Sequence, residues 1–282
     1  MAGWWVVLLR LFFSNTEQYN CRPQVPKFLI PNSSLLIKLT IPSLYDKLGF
    51  GGDTVDELTI KPVAYIKNAY KEKFGVPRQS GLAPSVKSVI EFCEEYSDEN
   101  IIRGIEQYSH LWLVWGFSKN GGQWSPTVRP PRLGGNKRVG VFATRSPFRP
   151  NGLGLSCVKL EEIKTGNKGI SLVVSGADLA DNTPIYDIKP YLPYVDCIEG
   201  ADGGFSDEHK SDFVEVEFSD TAKDLLSDSQ IKSLSEILSL DPRPSYQDDE
   251  NRIYGLSFDE FQVKFRYENQ KIYVTEIIGD KS

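Results

Sequence analysis

The sequence predicts a mainly β protein, a small β-barrel followed by a smaller α+β domain. Short apolar segments recur from about residue 56 to residue 190 with Gly and Pro between them, a spacing that favours a closed or nearly closed barrel over a parallel sheet. Beyond a Gly-rich linker, one segment has apolar residues at helical spacing and the last segment has the pattern of a hairpin. No G-x-G-x-x-G motif follows a predicted strand, which excludes the dinucleotide-binding Rossmann signature.

The barrel part contains seven predicted strands. Apolar runs or alternation place them at residues 58–66, 86–92, 111–117, 139–144, 153–163, 170–174 and 185–188. One short helix, capped by Ser97, is predicted over residues 98–108. In the C-terminal part we predict a helix over residues 221–240, which the Asp-Pro-Arg-Pro sequence after it ends, and a hairpin that joins residues 261–265 to 272–277.

Composition shifts divide the chain into four parts. We predict a poorly structured extension at residues 1–55, the barrel domain at 56–198, a linker at 199–212 and the α+β domain at 213–282. The first 13 residues are nearly all apolar, but no basic residue precedes them, so they make a poor signal peptide. A membrane-surface anchor, a targeting segment and an extension outside the fold stay open. No apolar stretch reaches the roughly 18 residues of a membrane-spanning helix.

Cysteine and histidine usage indicates a cytoplasmic protein without a metal site. The four cysteines lie far apart and form no C-x-x-C pair, which is typical of reduced thiols. With two histidines, a structural zinc site has too few ligands. Ser109 and His110 are adjacent, and neighbours on a strand point to opposite faces, so we do not expect them to form a nucleophile and its base.

Charge is distributed unevenly along the chain. The formal net charge is −6, yet no Asp or Glu lies between Glu106 and Glu161, a stretch that carries eight Lys and Arg residues. A basic segment on an acidic protein indicates an anionic ligand held at one place. Arginines paired with acids elsewhere in the fold explain the same pattern, and charge alone does not decide between the two.

Three segments combine arginine, glycine and proline in ways that core packing does not require: residues 76–81 (VPRQSG), 128–151 and 181–194. Rigid loops with guanidinium forks suit carboxylate or phosphate groups. Together with YKEKFGVPRQSG around Tyr70 and YSHLW around His110, these segments resemble the TsaA-like, or TrmO, family of S-adenosylmethionine-dependent tRNA methyltransferases. The similarity covers residues 58–194 and continues more weakly to a DPRP-x-Y element at residues 241–246.

The resemblance implies a non-Rossmann β-barrel methyltransferase that works as a homodimer. Family members methylate the N6 amine of threonylcarbamoyl-adenosine, the modified adenosine at position 37 beside the tRNA anticodon. Carried onto this chain, the S-adenosylmethionine contacts are Pro77, Arg78, Gln79, Ser118, Lys119, Arg145, Leu155, Asp181, Asn182, Thr183 and Pro184. The chain departs from the family at Ser118-Lys119, where many members have His-Gln, and at Asn182, where many have Gly; backbone contacts tolerate both changes.

The candidate catalytic residues are Asp181, Asp187 and Tyr191. The cofactor's sulfonium already activates the methyl group, so the enzyme mainly aligns it with a weakly nucleophilic amine, which a nearby carboxylate would assist. Asp181 also fits a turn residue that caps its own backbone, and the tyrosines of this region also fit barrel packing. The candidate RNA contacts are the cations Arg129, Arg132, Lys137, Arg138, Arg149 and Lys189.

Arg145 separates the functional hypotheses best. It follows a predicted strand and precedes Ser146-Pro147, so a rigid turn can aim its guanidinium at a methionine carboxylate or an RNA phosphate; the alternative is a buried pair with an acid. The leading hypothesis is a tRNA methyltransferase that needs no metal. A non-catalytic S-adenosylmethionine- or RNA-binding barrel is the second, favoured by the departures at residues 118 and 182. A structural barrel with salt-bridged arginines is the third.

Overall fold

The computed structural model describes residues 58–133, 135–166, 169–209, 213–243 and 252–279. The predicted extension at residues 1–55 lies outside these ranges. Residues 59–282 form one compact unit, and the predicted boundaries at residues 198 and 213 stay predictions. Within the described ranges, no helix is both long enough and apolar enough to span a bilayer.

Strands dominate the described residues. They are β1 (Ala64–Lys67), β2 (Lys87–Phe92), β3 (His110–Gly116), β4 (Thr127–Val128), β5 (Val139–Gly140), β6 (Leu153–Gly166), β7 (Gly169–Ser175), β8 (Pro184–Pro190), β9 (Glu215–Phe218), β10 (Tyr254–Phe258), β11 (Phe261–Glu268) and β12 (Lys271–Gly279). The α-helices are α1 (Pro193–Asp196), α2 (Asp220–Lys223) and α3 (Asp228–Ser239). Short 3₁₀ turns connect several of these elements.

Six strands close into a barrel in the order β1-β2-β7-β6-β3-β8, and each neighbouring pair is antiparallel. Alternation along the strands fills the interior with apolar side chains. On β3, Leu111, Leu113 and Trp115 are buried in the core, whereas Trp112 and Val114 are half-buried on the outer face. The predicted mainly β barrel is therefore confirmed.

The antiparallel order decides which loops meet. β1, β3 and β7 run in one direction along the barrel, and β2, β6 and β8 run in the other. Three connections therefore lie at the same end: β1–β2 (residues 68–86, the first loop), β3–β6 (residues 117–152, the second loop) and β7–β8 (residues 176–183, the third loop). We call it the loop end. Barrel closure thus brings together three segments that are far apart in the sequence.

The first strand is shorter than predicted, since it occupies residues 64–67 and residues 58–63 form no strand, and two further local predictions in the barrel were wrong. Residues 98–108 form two 3₁₀ turns instead of an α-helix, because the Asp98 carboxylate caps the first turn at Asn100 N (2.8 Å) and Gly104, with φ of 89°, separates the two. Residues 139–144 hold only the short strand β5 and then a 3₁₀ turn. There the Thr144 amide (3.1 Å) and hydroxyl (2.8 Å) both donate to the Val141 carbonyl, which takes that group out of strand pairing.

The last four strands form a second sheet in the order β10-β11-β12-β9, with β9 parallel to β12. The helix predicted over residues 221–240 is divided into α2 and α3, because Ser227 starts a new helix with a capping box to Gln230. The predicted hairpin is confirmed as β11–β12, and β9 and β10 were not predicted. We call residues 213–243 and 252–279, whose apolar side chains share one core, the C-terminal module.

A candidate active site at the loop end of the barrel

The loop end collects the residues that the family resemblance assigned to the cofactor. Ten of the eleven lie in the three connecting loops or on the first residue of β8, and Leu155 is the third residue of β6 at the same end. Pro77, Thr183 and Pro184 are buried, whereas Arg78, Ser118 and Arg145 are exposed. The fold therefore places these sequence-distant residues at one end of the barrel.

Arg145 is held by an amide and by no carboxylate among the described residues. Its Nη1 donates to Gln79 Oε1 at 2.5 Å, and its side chain is exposed. This contact joins the second loop to the VPRQ segment of the first. The alternative of a buried ion pair is wrong, and the guanidinium keeps donors for a ligand.

The sequence predictions missed Asp178, a carboxylate close to this contact. Its Oδ1 accepts from the buried Ser156 hydroxyl at 2.5 Å, and Ser156 Oγ in turn accepts from Trp115 Nε1 at 2.9 Å. Burial raises the pKa of Asp178, while the Ser156 hydrogen bond, backbone amides that include Ser80, and the charge of Arg145 oppose that rise. The sequence signal was the single acid within the apolar run of residues 170–180.

Asp181 braces the first loop. Asn68 N donates to its Oδ1 at 3.0 Å, and Lys71 Nζ lies 3.2 Å from its Oδ2. Asn182, with φ of 62°, donates its side-chain amide to the same Oδ2 at 3.1 Å. The carboxylate thus caps the backbone of residue 68, 113 positions away, and not its own turn. It ties the third loop to the first.

The departures from the family pattern lie next to this brace. Lys119 Nζ donates to Lys71 O at 3.2 Å, and Lys73 Nζ donates to Lys119 O. Asn120 in the same turn donates to Pro147 O at 2.9 Å, two residues after Arg145. Bonds to backbone carbonyls therefore connect the first and second loops here, and these contacts do not depend on the identity of residue 118.

A row of outward-facing residues extends the site onto the barrel wall. Strand register places Leu155, Val114 and Asp187 side by side on β6, β3 and β8. Leu155 is 56% exposed, and Asp187 lies two strand spacings, about 10 Å, away. Asp187 pairs with Lys189 at 2.7 Å. The wall beside the loop end therefore offers an apolar side chain and a half-exposed carboxylate.

Tyr191 lies at the opposite end of β8. Its amide donates to the carbonyl of His110, the first residue of β3, at 3.0 Å. Its ring packs against Trp112, with centroids 5.7 Å apart, and burial raises its pKa. Within one chain, the structure does not bring Tyr191 or the neighbouring Lys189 to the loop end.

The remaining candidate RNA contacts lie in the second loop. Arg129, Lys137 and Arg138 are exposed, and the side chain of Arg132 is outside the description. Arg149 differs from them because its guanidinium donates to Thr144 O (2.7 Å) and Val141 O (3.3 Å) and lies over the ring of Phe142. Arg149 therefore stabilises a turn. In the described part of this acid-free stretch, one cation, Lys159, forms an ion pair, and its partner is Glu161. Most of these described cations therefore do not pair with acids.

Ser109 and His110 do contact each other, against the sequence expectation. Ser109 Oγ lies 2.9 Å from His110 Nδ1, because Ser109 precedes β3 and does not follow its alternation. The pair lies at the end of the barrel opposite to the predicted cofactor residues. Among the described residues, no three His, Cys, Asp or Glu side chains are placed to hold a metal ion.

The closed antiparallel barrel, its loop end with an exposed arginine and the attached α+β module define the class of a non-Rossmann barrel protein. Residues 65–197 match the tRNA-methyltransferase O N-terminal domain, and residues 211–280 match the TrmO C-terminal domain. The chain belongs to the TrmO family.

Two curated relatives and one solved structure show the extent of the similarity. The chain is 39% identical over 213 residues to the tRNA (adenine(37)-N6)-methyltransferase of Escherichia coli (strain K12), which covers 72% of this chain and 91% of the relative. It is 46% identical over 175 residues to the protein of the same name from Eikenella corrodens, covering 61% of this chain and 98% of that relative. The crystal structure of TrmO from Pseudomonas aeruginosa aligns with a TM-score of 0.67 at 31% identity, covering 79% of this chain and 99% of that chain.

Proposed function

We propose that this protein transfers the methyl group of S-adenosylmethionine to the N6 amine of threonylcarbamoyl-adenosine at position 37 of tRNA. The observation that carries the proposal is the meeting of the family's cofactor segments at the loop end, where Arg145 and Gln79 join two of them. The two relatives named above are called tRNA (adenine(37)-N6)-methyltransferases, and the similarity to this chain covers most of their length.

The residues present fit S-adenosylmethionine. The Arg145 guanidinium is exposed and suits the α-carboxylate of the methionine part. Asp181 supplies a carboxylate for a ligand that carries an ammonium and a sulfonium, Asp178 adds a hydrogen-bonding carboxyl group, and the exposed Leu155 offers apolar surface for the adenine ring. When bound, the cofactor supplies an electrophilic methyl group, and the protein supplies alignment and exclusion of water.

We assign alignment to the braced loops. Asp181 holds the first loop in place and forms an ion pair with the partly exposed Lys71. Asp187 is the carboxylate on the adjacent barrel wall. Either carboxylate can accept the proton that the amine loses, if the amine lies within hydrogen-bond reach. Tyr191 is excluded from this step within a single chain by its position at the other end of β8.

The second loop is the proposed tRNA surface. Its exposed Arg129, Lys137 and Arg138 can neutralise backbone phosphates. Phe142, 77% exposed at the tip of a turn that Arg149 stabilises, offers a ring on which an unstacked base can stack. We further propose a homodimer, in which a second copy covers exposed apolar side chains such as Tyr194 (83%) and Ile198 (73%), and action in the cytoplasm, where tRNA is available as substrate.

Mass spectrometry of tRNA nucleosides tests the function. Purified protein with unmethylated tRNA and S-adenosylmethionine should convert threonylcarbamoyl-adenosine to its N6-methyl derivative, and cells that lack the gene should lose the product. Calorimetry should show cofactor binding in the presence of a chelator. Binding without transfer would favour the non-catalytic module, and no binding with or without chelator would refute both hypotheses.

A further inference from the structure

The first loop of the barrel lies against the C-terminal module. Tyr70, Ala83 and Val86 belong to the core of that module, and Phe74 stacks on Phe265 with centroids 6.4 Å apart. Backbone contacts continue the packing, since Asp259 N donates to Ala69 O at 3.0 Å. The loop that carries Pro77, Arg78 and Gln79 therefore packs against the C-terminal module.

A locked turn follows α3 in this module. Arg243, 8% exposed, donates Nε to Asp241 Oδ1 and Nη2 to Asp241 Oδ2, each at 2.8 Å. Its guanidinium also stacks on Tyr267, 3.3 Å from the ring centroid. Asp241 has φ of 46°, a left-handed conformation that costs free energy for a residue with a side chain. The bidentate ion pair and the stacking hold the turn in this conformation.

The turn contacts the cofactor loop through Arg78. Arg78 Nη2 donates to the backbone carbonyl of Asp241 at 3.1 Å. Arg78 is exposed, and the rotamers that an arginine side chain loses when a ligand binds oppose that binding. A hydrogen bond to a carbonyl in a fixed turn restricts the Arg78 side chain before the ligand binds, so less conformational entropy is lost on binding.

We propose that Asp241 and Arg243 are positioning residues of the methyltransferase site. They orient Arg78 from the C-terminal module through the Asp241 carbonyl, so the module completes a cofactor site that otherwise lies on the barrel. The proposal rests on the proposed function, in that Arg78 is taken to contact S-adenosylmethionine. It assigns the DPRP segment a role in ligand binding in addition to ending α3.

Steady-state kinetics of Arg243→Lys test the proposal. Lysine keeps the charge but loses the bidentate geometry and the planar stack. We expect KM for S-adenosylmethionine to rise about tenfold with kcat within about twofold, because Arg78 binds ground state and transition state alike. The matched control is Arg266→Lys in β11, an arginine that pairs with Glu268 at 3.0 Å and lies over Tyr273, and whose contacts among the described residues do not include the first loop. The control should keep both constants.

A double-mutant cycle separates positioning from general stability. Arg78→Ala should raise KM by itself, and Arg243→Lys should then add no further increase in that background. An Arg243→Lys effect that multiplies with Arg78→Ala, or an unchanged KM in Arg243→Lys, would overturn the proposal.

A second variant covers the case in which the buried arginine cannot be replaced. Asp241→Asn keeps the size and tolerates the left-handed backbone while it weakens the ion pair, and it should raise KM in the same direction by a smaller factor. Failure of both variants to fold, seen as loss of the cooperative thermal transition, would assign the turn a structural role and overturn the proposal. If the unaltered protein binds no S-adenosylmethionine, the proposed function fails. If the unaltered protein binds it and the variants have the same KM, only the positioning role of Asp241 and Arg243 fails.

Discussion

At the scale of single residues, the loop end contains side chains that stabilise the fold and side chains that are available to a ligand. Arg149 donates to two backbone carbonyls, whereas Arg145 donates to one amide oxygen and stays exposed. Both arginines belong to the same acid-free segment, so their sequence surroundings did not distinguish them. The partner of each guanidinium, which depends on how the loop folds, does.

We expect Arg145→Lys to keep the fold and lose most methyl transfer. Lysine cannot reproduce a planar fork, and loss of one charge-assisted contact costs on the order of 2–4 kcal/mol in transition-state binding. Thermal melting and methyl transfer on the same preparation measure both effects. The matched control is Arg103→Lys, an exposed arginine that also donates to an amide oxygen, that of Asn100, but at the other end of the barrel. Equal activity losses in the two variants, or full activity in Arg145→Lys, would remove Arg145 from the site.

Asp178→Asn should alter the pH dependence of stability in a defined direction. Burial raises the pKa of Asp178 in the folded state, so the folded protein binds this proton more tightly than the unfolded chain does. The parent's free energy of unfolding therefore loses this contribution as pH rises from the ordinary carboxyl pKa of about 4 through the raised value. The Asn variant lacks the titration, so its stability relative to the parent should increase over that interval.

The control for Asp178 has the opposite sign. The Leu192 amide (2.8 Å) and Trp112 Nε1 (2.9 Å) donate to Asp196 and lower its pKa. This contribution to stability is lost as pH falls through the lowered pKa, so Asp196→Asn should lose stability relative to the parent as pH rises. Urea titrations from pH 3 to pH 8 provide both differences. Two differences with the same sign would contradict the assignment of burial as the cause at Asp178.

At the scale of elements, the junction of the first loop with β10 depends on close approach. A Cβ at Gly75 would lie 2.1 Å from Leu256 Cδ1, and Leu256 is fully buried. Gly81 in the same loop has a similar positive φ, 82° against 88°, but its Cβ would meet nothing within 4 Å. The two glycines thus share the conformational requirement and differ in packing.

Gly75→Ala should destabilise the protein more than Gly81→Ala. Backbone strain is common to both substitutions, so the difference reports overpacking against Leu256, about 1–3 kcal/mol in the free energy of unfolding. Chemical denaturation of the two variants measures it. Equal losses in the free energy of unfolding would mean that Leu256 moves aside without cost and that its contact with Gly75 does not fix the loop.

At the scale of the whole molecule, residues 59–282 form a unit that includes the barrel, the three loops and the C-terminal module. The family match starts at residue 65. The site and both cores described above are built from residue 63 onward. We therefore propose that this unit folds and binds its cofactor without the residues that precede it.

Deletion of residues 1–55 should leave cofactor affinity and melting temperature nearly unchanged. The reason is that the family match starts at residue 65 and both cores described above are built from residue 63 onward. Calorimetry and thermal melting of the truncated and full chains measure the two quantities. A truncated chain that fails to fold would show that the extension packs on the barrel and that the predicted boundary is misplaced.

The spacing of apolar residues predicted most barrel strands, because burial along a strand requires apolar side chains at regular positions in the sequence. The run at residues 111–117 and the segment at 86–92 agree with β3 and β2 to within one residue. The prediction at residues 98–108 failed because Asp98 and Gly104 act through hydrogen bonding and a positive φ, which apolar spacing does not report.

The sequence by itself determined the barrel class, the acid-free basic stretch and the three segments with a family likeness. Only the tertiary structure decided that these segments meet at one end, that Asp178 joins them, that Tyr191 lies at the other end and that Asp241 contacts Arg78. The physical reason is that residue type and spacing encode burial along a strand, whereas contacts between residues more than a hundred positions apart depend on strand order and barrel closure.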